Sequence, residues 1–588
     1  MGVCPAQKRK LMARNNLNNF SLLCVGLVIT TIGCNTAKYR AKADKEVYGI
    51  LENKRMLALN RSRPFTVERK KENLRRRILR SRGKSYFEDT GNPPGQTQEG
   101  ENDLLSSMES KANQEQEVAP QPVDEIKTIL SLRDALLVAG ENSRSYQDQK
   151  ENLYLSALDL TLERHNFSNL FTSILFANVE QTDSDNRNVG IGGDISMSRR
   201  LASGGRLVTS LGLSAVKVFS GGLDSETVAA LEAELVQPLL RGAGKKIVLE
   251  DLIQTERDVI YAVQRFARFQ KVFAVSIISD YYNVLELNQI VSNEYQNYQN
   301  LTASRQRAEA LFQAGRLPEI QVGQTRQNEL SARNRWIVAR QRYEAALDLV
   351  RVTLGLPTDS EITLDQSELD RLKSAGLEEK VVDTPAGIDT ALNTRLDHLV
   401  SLGEMEDAKR KVVVAKDGFR PDLDLTLTSS VASRRPNHVA DLRFKNGSYS
   451  AGLLLGLPLN RKAERNLFRE AEINLARSVR ALEATRENIK VGVRDAERRL
   501  TQARESYLIQ QNSVQLAQQR VEAANLLLDA GRAESRDLLE AQDALVNAQN
   551  ALIGAIVDHT IADLEFIRDT GELAVDELGI PQSFPWAQ

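Results

Sequence analysis

The chain has 588 residues, of which 41% are apolar and only 5% aromatic. Soluble globular chains have about 45–50% apolar residues, so this composition favours long, thin elements over a thick globular core. Lys and Arg number 77 and Asp and Glu number 79, which gives a net charge of -2. This balance gives no indication of a nucleic-acid partner.

Residue types that usually build catalytic or metal sites are sparse. All three cysteines lie at or before position 34, and the four histidines are scattered. No two histidines have the HxxxH spacing of zinc hydrolases. The stretch 242–246 (GAGKK) is not a phosphate loop, because Leu239 stands where that motif needs its first glycine. We therefore predict no catalytic residue, no metal and no cofactor, and we expect that the chain is not an enzyme.

The start of the chain has the pattern of an export signal. A basic stretch precedes the apolar run 20–32, which is too short to span a bilayer as a helix. The run leads into Gly33 and Cys34, which resemble a bacterial lipobox, although Thr31 stands where leucine is usual. We predict a signal peptide at 1–33 and lipidation of Cys34. The alternative is an ordinary signal peptide that ends near a cysteine.

Residues 34–130 are polar, with a block of basic residues followed by a block of acidic ones. Such a composition cannot bury enough apolar surface to fold alone. We predict a lipidated polar tether that is largely disordered. Its charges indicate either a solvated linker or a contact with an anionic surface.

Two pairs of similar motifs recur about 220 residues apart, a period that indicates an internal repeat. The sequences at 237–241 (QPLLR) and 457–461 (LPLNR) each precede a long helical pattern. The sequences at 311–316 (LFQAGR) and 527–532 (LLDAGR) each interrupt one. The predicted domains are repeat 1 at 131–357, a linker at 358–385, repeat 2 at 386–574 and a C-terminal tail at 575–588.

Each repeat is predicted to contain a helix, strands, a very long helix, a tight turn and a last helix. The first helices are predicted at 132–164 and 390–416, and the long ones at 243–313 and 462–528. Apolar residues of the long helices are spaced by three, four and seven positions, which indicates a narrow packing stripe. About 70 residues make a rod of about 100 Å, a length that suits a coiled-coil stalk or a helical barrel.

The predicted strands alternate between apolar and polar residues. Leu423, Leu425 and Leu427, for example, alternate with Asp424 and Thr426. This pattern is typical of a transmembrane barrel wall and equally of a water-facing sheet with one buried face. One chain has too few strands to close a wide barrel, and open edges are not tolerated in lipid. A barrel would therefore need several chains.

Together these features resemble the TolC-like outer-membrane efflux proteins, over about 132–572. The two proline-leucine junctions resemble the strand-to-helix crossing of that family, and 531–540 resembles its helix turn at the periplasmic tip. The resemblance implies a mainly α fold with a transmembrane β part: a homotrimeric outer-membrane β-barrel that continues into a long α-helical periplasmic tunnel. It implies a passive exit duct of a tripartite efflux or type I secretion system, with a periplasmic adaptor, an inner-membrane pump and outer-membrane lipid as partners.

The resemblance also implies roles for single residues. Asp537 and Glu540 match the acidic pair that lines the family's tunnel constriction, and Gln321 and Gln324 are their neutral first-repeat equivalents. The residues that match the adaptor-docking tips are Gly315, Arg316, Gly531 and Arg532. Simpler explanations stay open, because acidic residues near a helix start complement its dipole and glycine reverses the chain.

The chain departs from the family pattern in two respects, a long polar tether at 35–124 and an extra hairpin. The hairpin, with strands at 189–199 and 207–219 joined at Gly204 and Gly205, leaves the strand count per chain at four or six. The competing function is a surface-anchored coiled-coil lipoprotein with a structural or adhesive role. That reading explains the anchor and the helices but gives the strands and the proline-leucine junctions no purpose.

Overall fold

The computed structural model describes residues 36–60, 65–69, 73–81, 128–183, 186–218, 225–377, 383–433, 441–530, 532–576 and 580–581. The chain forms two compact units. The first consists of Met1–Ile50 and Thr90–Ala119, and within its described part it is helical. The second consists of Leu51–Asp89 and Pro120–Gln588 and holds every other element. The predicted signal peptide and Cys34 lie outside the described residues.

The helices are α1 (Thr36–Leu59), α2 (Leu74–Ser81), α3 (Leu132–Asn142), α4 (Arg144–Asn166), α5 (Lys245–Val248), α6 (Glu250–Gln313), α7 (Glu319–Thr353), α8 (Ser367–Ala375), α9 (Thr384–Thr394), α10 (Leu396–Asp417), α11 (Lys462–Asp529) and α12 (Ser535–Asp569). The strands are β1 (Thr128–Leu130), β2 (Leu170–Asp183), β3 (Asn186–Arg200), β4 (Arg206–Val218), β5 (Ser225–Pro238), β6 (Ile362–Leu364), β7 (Asp422–Ala432) and β8 (Ser448–Gly456). No helix in the described ranges combines the length and the hydropathy that crossing a membrane requires.

The two long helices, α6 and α11, have 64 and 68 residues. Each is about 100 Å long at a rise of 1.5 Å per residue, as the sequence predicts. Each is followed by a short turn and a helix of 35 residues, α7 or α12. Small buried residues let these helices approach closely: Ala332 and Ala541 are fully buried, and Leu539 of α12 packs on Leu301 of α6 and Ala332 of α7.

The single helices predicted at 132–164 and 390–416 are each broken in two. Ser143 separates α3 from α4, and Arg395 separates α9 from α10, both with extended backbone. The first break lies beside Gly355, where a Cβ atom would come within 2.2 Å of the Asn142 carbonyl oxygen. The second break is fixed by Arg395 itself, whose guanidinium contacts Asp397 and Asp569. Both breaks depend on distant parts of the chain.

The N-terminal segment contains helices that the prediction of a largely disordered tether did not include. Helices α1 and α2 both lie within 34–130. They form because Lys, Arg, Leu and Ala are good helix formers even in a polar segment. The part after position 50 contacts the helical body. Lys54 Nζ lies 3.6 Å from Glu256 Oε2, and Arg75 donates a hydrogen bond to the Gly355 carbonyl oxygen at 2.8 Å. The predicted linker 358–385 likewise contains β6, which pairs in parallel with β1, and α8.

Among the described residues, six strands form one antiparallel sheet in the order β2-β3-β4-β5-β7-β8. The predicted extra hairpin is present as β3 and β4. Strand β2 is not predictable from the sequence pattern, because its apolar residues do not alternate and it follows a helix directly; these residues are Phe171, Ile174, Leu175 and Phe176.

The register gives the sheet one polar and one apolar face. Thr172, Ser196, Ser210, Glu232, Ser430 and Ser448 form one continuous row across all six strands. The neighbouring row on the opposite face contains Ile195, Leu211, Leu231 and Val431. Successive residues of a strand point to opposite faces. The alternation seen in the sequence therefore continues from β3 to β8, whereas β2 also places Ile174 and Phe176 on the polar face.

Candidate functional site

The turn from α6 to α7 contains two of the predicted tip residues. The Gly315 N–H donates to the Phe312 carbonyl oxygen and the Arg316 N–H donates to the Leu311 carbonyl oxygen, each at 2.9 Å. This is the Schellman arrangement, which needs a residue with positive φ after the helix end. Gly315 provides it with a φ of 70°, and Arg316 is exposed directly after it.

The turn from α11 to α12 has the same hydrogen bond. The Arg532 N–H donates to the Leu527 carbonyl oxygen at 2.8 Å, and Arg532 is exposed. Gly531 lies outside the described residues. The two turns therefore present one arginine each at an equivalent position, as the repeat predicts for this pair.

Asp537 is in the first turn of α12 and forms a capping box with Glu534. Its Oδ2 accepts a hydrogen bond from the Glu534 N–H at 3.0 Å, and the Glu534 side chain accepts one from the backbone of Asp537. This arrangement satisfies two N–H groups that a helix start would leave open. The Asp537 carboxylate is exposed, and its negative charge lies at a helix N-terminus, where the helix dipole favours it. The capping box holds it in one position.

Glu540 lies one turn further along α12 and is also exposed. Its Oε1 accepts a hydrogen bond from Arg536 Nε at 2.8 Å, and its Oε2 lies 4.0 Å from Arg520 of α11. The exposed position of this pair gives it little net stability in water. In the single protomer Glu540 is therefore held by arginines but is not buried.

Gln321 and Gln324 occupy the corresponding turn of α7. Gln321 is half-buried and its N–H donates to the Pro318 carbonyl oxygen at 3.1 Å, whereas Gln324 is exposed. Each stands as far from the start of α7 as its acidic counterpart does from the start of α12. The first turns of α7 and α12 thus differ mainly in charge.

A polar network that the sequence did not reveal joins α6, α7 and α12. Arg335 of α7 lies 2.9 Å from Asp543 of α12 and 3.3 Å from Glu294 of α6. Asn550 of α12 donates to Glu294 at 3.2 Å, and Asn297 of α6 donates to Asp543 at 3.4 Å. Glu294 is buried, so these contacts replace the water that it loses. The only signal in the sequence is a run of polar residues where the packing stripe should be apolar.

Residues 387–567 match the sequence model of the family described as outer membrane efflux protein. This segment is similar to the domain of that family and is called the efflux-protein domain. It covers α10, β7, β8 and α11 entirely and most of α9 and α12. The family resemblance inferred from the residues is confirmed.

Between 75% and 77% of the chain is similar in fold to solved outer membrane proteins. CmeC of Campylobacter jejuni is 15% identical over 77% of this chain and 87% of its own, with a TM-score of 0.56. MtrE of Neisseria gonorrhoeae, solved in its open state, is 14% identical over 77% and 95%, with a TM-score of 0.55. VceC of Vibrio cholerae is 16% identical over 75% and 96%, with a TM-score of 0.53. No curated protein matches the chain in sequence.

Two further carboxylate sites connect the efflux-protein domain to α6. Asp407 of α10 is buried. Its carboxylate accepts hydrogen bonds from two residues of α6, the Tyr261 hydroxyl at 2.8 Å and Gln254 at 3.1 Å. Arg410 of α10 donates a third at 2.7 Å. Burial alone would raise the pKa of Asp407, but these hydrogen bonds and the nearby Arg257 outweigh it and hold the pKa below its usual value. The carboxylate therefore stays charged and fastens α10 to α6.

At the second site the surroundings raise the pKa of the carboxyl group instead of lowering it. Burial and the neighbouring carboxylate of Asp558, on α12 of the efflux-protein domain, raise the pKa of Glu286 to about 7. Burial also raises the pKa of Asp558. Two carboxyl groups with raised pKa values thus lie midway along α6 and α12. Neither belongs to the residues that the sequence singled out.

Proposed function

We propose that the protein is the outer-membrane component of a tripartite efflux or type I secretion system. It acts as a passive exit duct for small molecules or proteins across the periplasm and the outer membrane. The observation that carries the proposal is the two-faced sheet, with an exposed apolar face, joined directly to helices about 100 Å long. The family match of 387–567 supports the same function.

The sheet supports a barrel built from several copies. Strands β2 and β8 are the outermost strands of the described sheet, so each has an edge that a lipid bilayer would not tolerate. Pairing of β8 with β2 of the next copy closes the sheet, with the apolar face toward lipid and the polar face toward the lumen. Three copies close the barrel in the homotrimer that the resemblance implies.

The helices support the tunnel. Helices α6, α7, α11 and α12 follow the strands in the same order in both halves, which agrees with two copies of one structural plan. In the trimer they form the wall of a periplasmic tunnel, and the two turns at its end meet the adaptor. The adaptor-docking residues are Gly315, Arg316, Gly531 and Arg532, and the adaptor in turn connects the duct to an inner-membrane pump.

The constriction is proposed at the first turns of α7 and α12. Asp537 and Glu540 from three copies form a ring of carboxylates, with Gln321 and Gln324 as neutral members. Such a ring favours cations over anions. No catalytic residue or cofactor takes part, because the duct only lets its cargo pass.

The lipid anchor is proposed at Cys34, after removal of residues 1–33. A protein with Cys34→Ser would carry no acyl chain there, and radiolabelled palmitate incorporation checks this directly. Incorporation that persists in the Cys34→Ser protein would contradict the anchor but not the duct, because the barrel alone holds the trimer in the membrane.

The duct is tested by reconstituting the purified full chain into a planar lipid bilayer. Discrete conductance steps are expected, because a closed barrel contains a continuous water path. The alternative is a surface-anchored coiled-coil lipoprotein with a structural or adhesive role. A flat current trace, together with a monomeric protein released from membranes by alkali, would favour that alternative.

A further inference from the structure

The strand count sets the width of the proposed barrel. The sheet of one chain contains six strands in the described residues, and β3 and β4 lie in its interior rather than at an edge. A family-like chain without the β3–β4 hairpin would contribute four. A trimer has three times the strand number of one chain. The barrel therefore has eighteen strands if the hairpin belongs to its wall and twelve if it does not.

The hairpin is part of the same wall as the other strands. The β3–β4 register runs without a break from Asn188↔Val218 to Arg200↔Arg206, and β4 pairs along its length with β5. Removing the hairpin from the wall would break its pairing with both β2 and β5. The hairpin therefore cannot be an appendage on one side of a four-stranded sheet.

The two faces also continue through the hairpin. Ser196 and Ser210 lie in the polar row between Thr172 and Glu232. Ile195 and Leu211 lie on the opposite face and are 58% and 40% exposed in the single protomer. A water-facing sheet would bury this apolar face, whereas a barrel wall that faces lipid leaves it exposed in the single protomer.

Glycines in β3 fit a strongly curved wall. A Cβ atom at Gly192 would come within 2.4 Å of the Phe176 ring on β2, so the aromatic side chain lies directly across the glycine. Glycine kinks covered by a neighbouring aromatic residue occur where a sheet bends into a barrel. Gly192 therefore gives the hairpin a position at which the wall can bend.

We infer that three copies of this chain form an eighteen-stranded barrel, in which each β8 pairs with the β2 of the next copy. This inference rests on the proposed trimeric duct. At equal strand tilt the diameter grows with strand number, so the barrel is about one and a half times as wide as a twelve-stranded one. With strands about 4.8 Å apart and tilted by about 40°, the backbone diameter is about 36 Å. An outer-membrane part of this width restricts cargo size less than a twelve-stranded barrel would.

A pair of neighbouring substitutions tests whether the hairpin is in the barrel wall. Leu211→Lys puts a charge on the apolar face of β4, and Ser210→Lys puts the same charge on its polar face, opposite Glu232 of β5. We expect Leu211→Lys to reduce the heat-resistant trimer recovered from outer membranes at least tenfold. Ser210→Lys should leave the yield within twofold of the unsubstituted protein. Equal yields of the two variants would overturn the inference.

A three-dimensional reconstruction of the full-chain trimer in lipid nanodiscs counts the strands without any substitution. Eighteen strands are expected around the three-fold axis. A three-fold barrel with twelve strands, and with β3 and β4 outside the wall, would overturn the inference and leave the proposed duct intact. Particles without a hollow three-fold barrel would overturn both.

Discussion

At the scale of single residues, the two exposed carboxylates at the start of α12 carry the proposed selectivity. Asp537→Asn together with Glu540→Gln removes up to six charges from the ring of a trimer without changing side-chain size. The ratio of cation to anion permeability in a planar bilayer should fall by about twofold or more, because carboxylate rings attract cations. The matched control is Glu472→Gln, a glutamate of α11 near the sheet with a side chain that is 41% exposed, which should leave the ratio unchanged. An unchanged ratio in the double variant would place the constriction elsewhere.

The buried carboxylate Asp407 should matter for stability rather than transport. Asp407→Ala leaves Tyr261, Arg257 and Arg410 without their common acceptor, and breaking a buried ion pair costs about 3–5 kcal/mol of the free energy of unfolding. Glu404 lies on the same helix, but it and its partner Arg265 are both largely exposed. Glu404→Ala should therefore cost less than about 1 kcal/mol. Denaturant titration of both variants measures this difference. Similar losses in the free energy of unfolding would show that the Asp407 cluster stabilises the chain no more than an exposed ion pair does.

The raised pKa of Glu286 predicts how stability depends on pH. The unfolded carboxyl group loses its proton near 4.5 and the folded one near 7. Between these values the folded state binds more protons, so the free energy of unfolding decreases as pH rises. Glu286→Gln should remove this decrease and raise the melting temperature at pH 8, with little change at pH 5. Parallel melting curves for both proteins from pH 5 to 8 would contradict the prediction.

At the scale of elements, the turn from α6 to α7 depends on glycine at one position only. Gly315→Ala forces a positive φ on alanine and should cost about 1–2 kcal/mol. Gly323 lies within α7, and a Cβ atom there would meet no atom within 4 Å. Gly323→Ala should therefore stabilise the helix by about 0.5–1 kcal/mol. Thermal unfolding of the two variants measures opposite shifts, and shifts of the same sign would argue against the turn geometry.

Local pattern predicted the long elements well. The limits of α11 agree with the predicted 462–528 almost to the residue. The apolar packing stripe of so long a helix has a clear first and last residue in the sequence. The breaks at Ser143 and Arg395 were not predictable, since Gly355 and Asp569, far along the chain, help to set them.

The polar network of Glu294, Arg335 and Asp543 was not predictable either, because it joins three helices. The turn after α6 is predictable, because Gly315 and its neighbours set it within one turn.

At the scale of the whole molecule, the single protomer is incomplete. Large apolar side chains of the sheet, such as Leu453 and Phe171, are 69% and 72% exposed, and both outer strands have an open edge. A monomer in water would expose this face to aggregation. In the proposed trimer, lipid would cover the apolar face and neighbouring copies would pair with both edges. The sequence could indicate the alternation but not the six-stranded register, because pairing joins strands up to about 200 residues apart.

Electron microscopy of the purified full chain, with averaging of single particles, tests the central claim most directly. The account predicts hollow particles with three-fold symmetry and a tubular extension of about 100 Å, which is the length of α6 and α11. Solid thin rods or compact monomers would contradict it. The sheet would then be a water-facing structure, and the chain would be a coiled-coil lipoprotein rather than a duct.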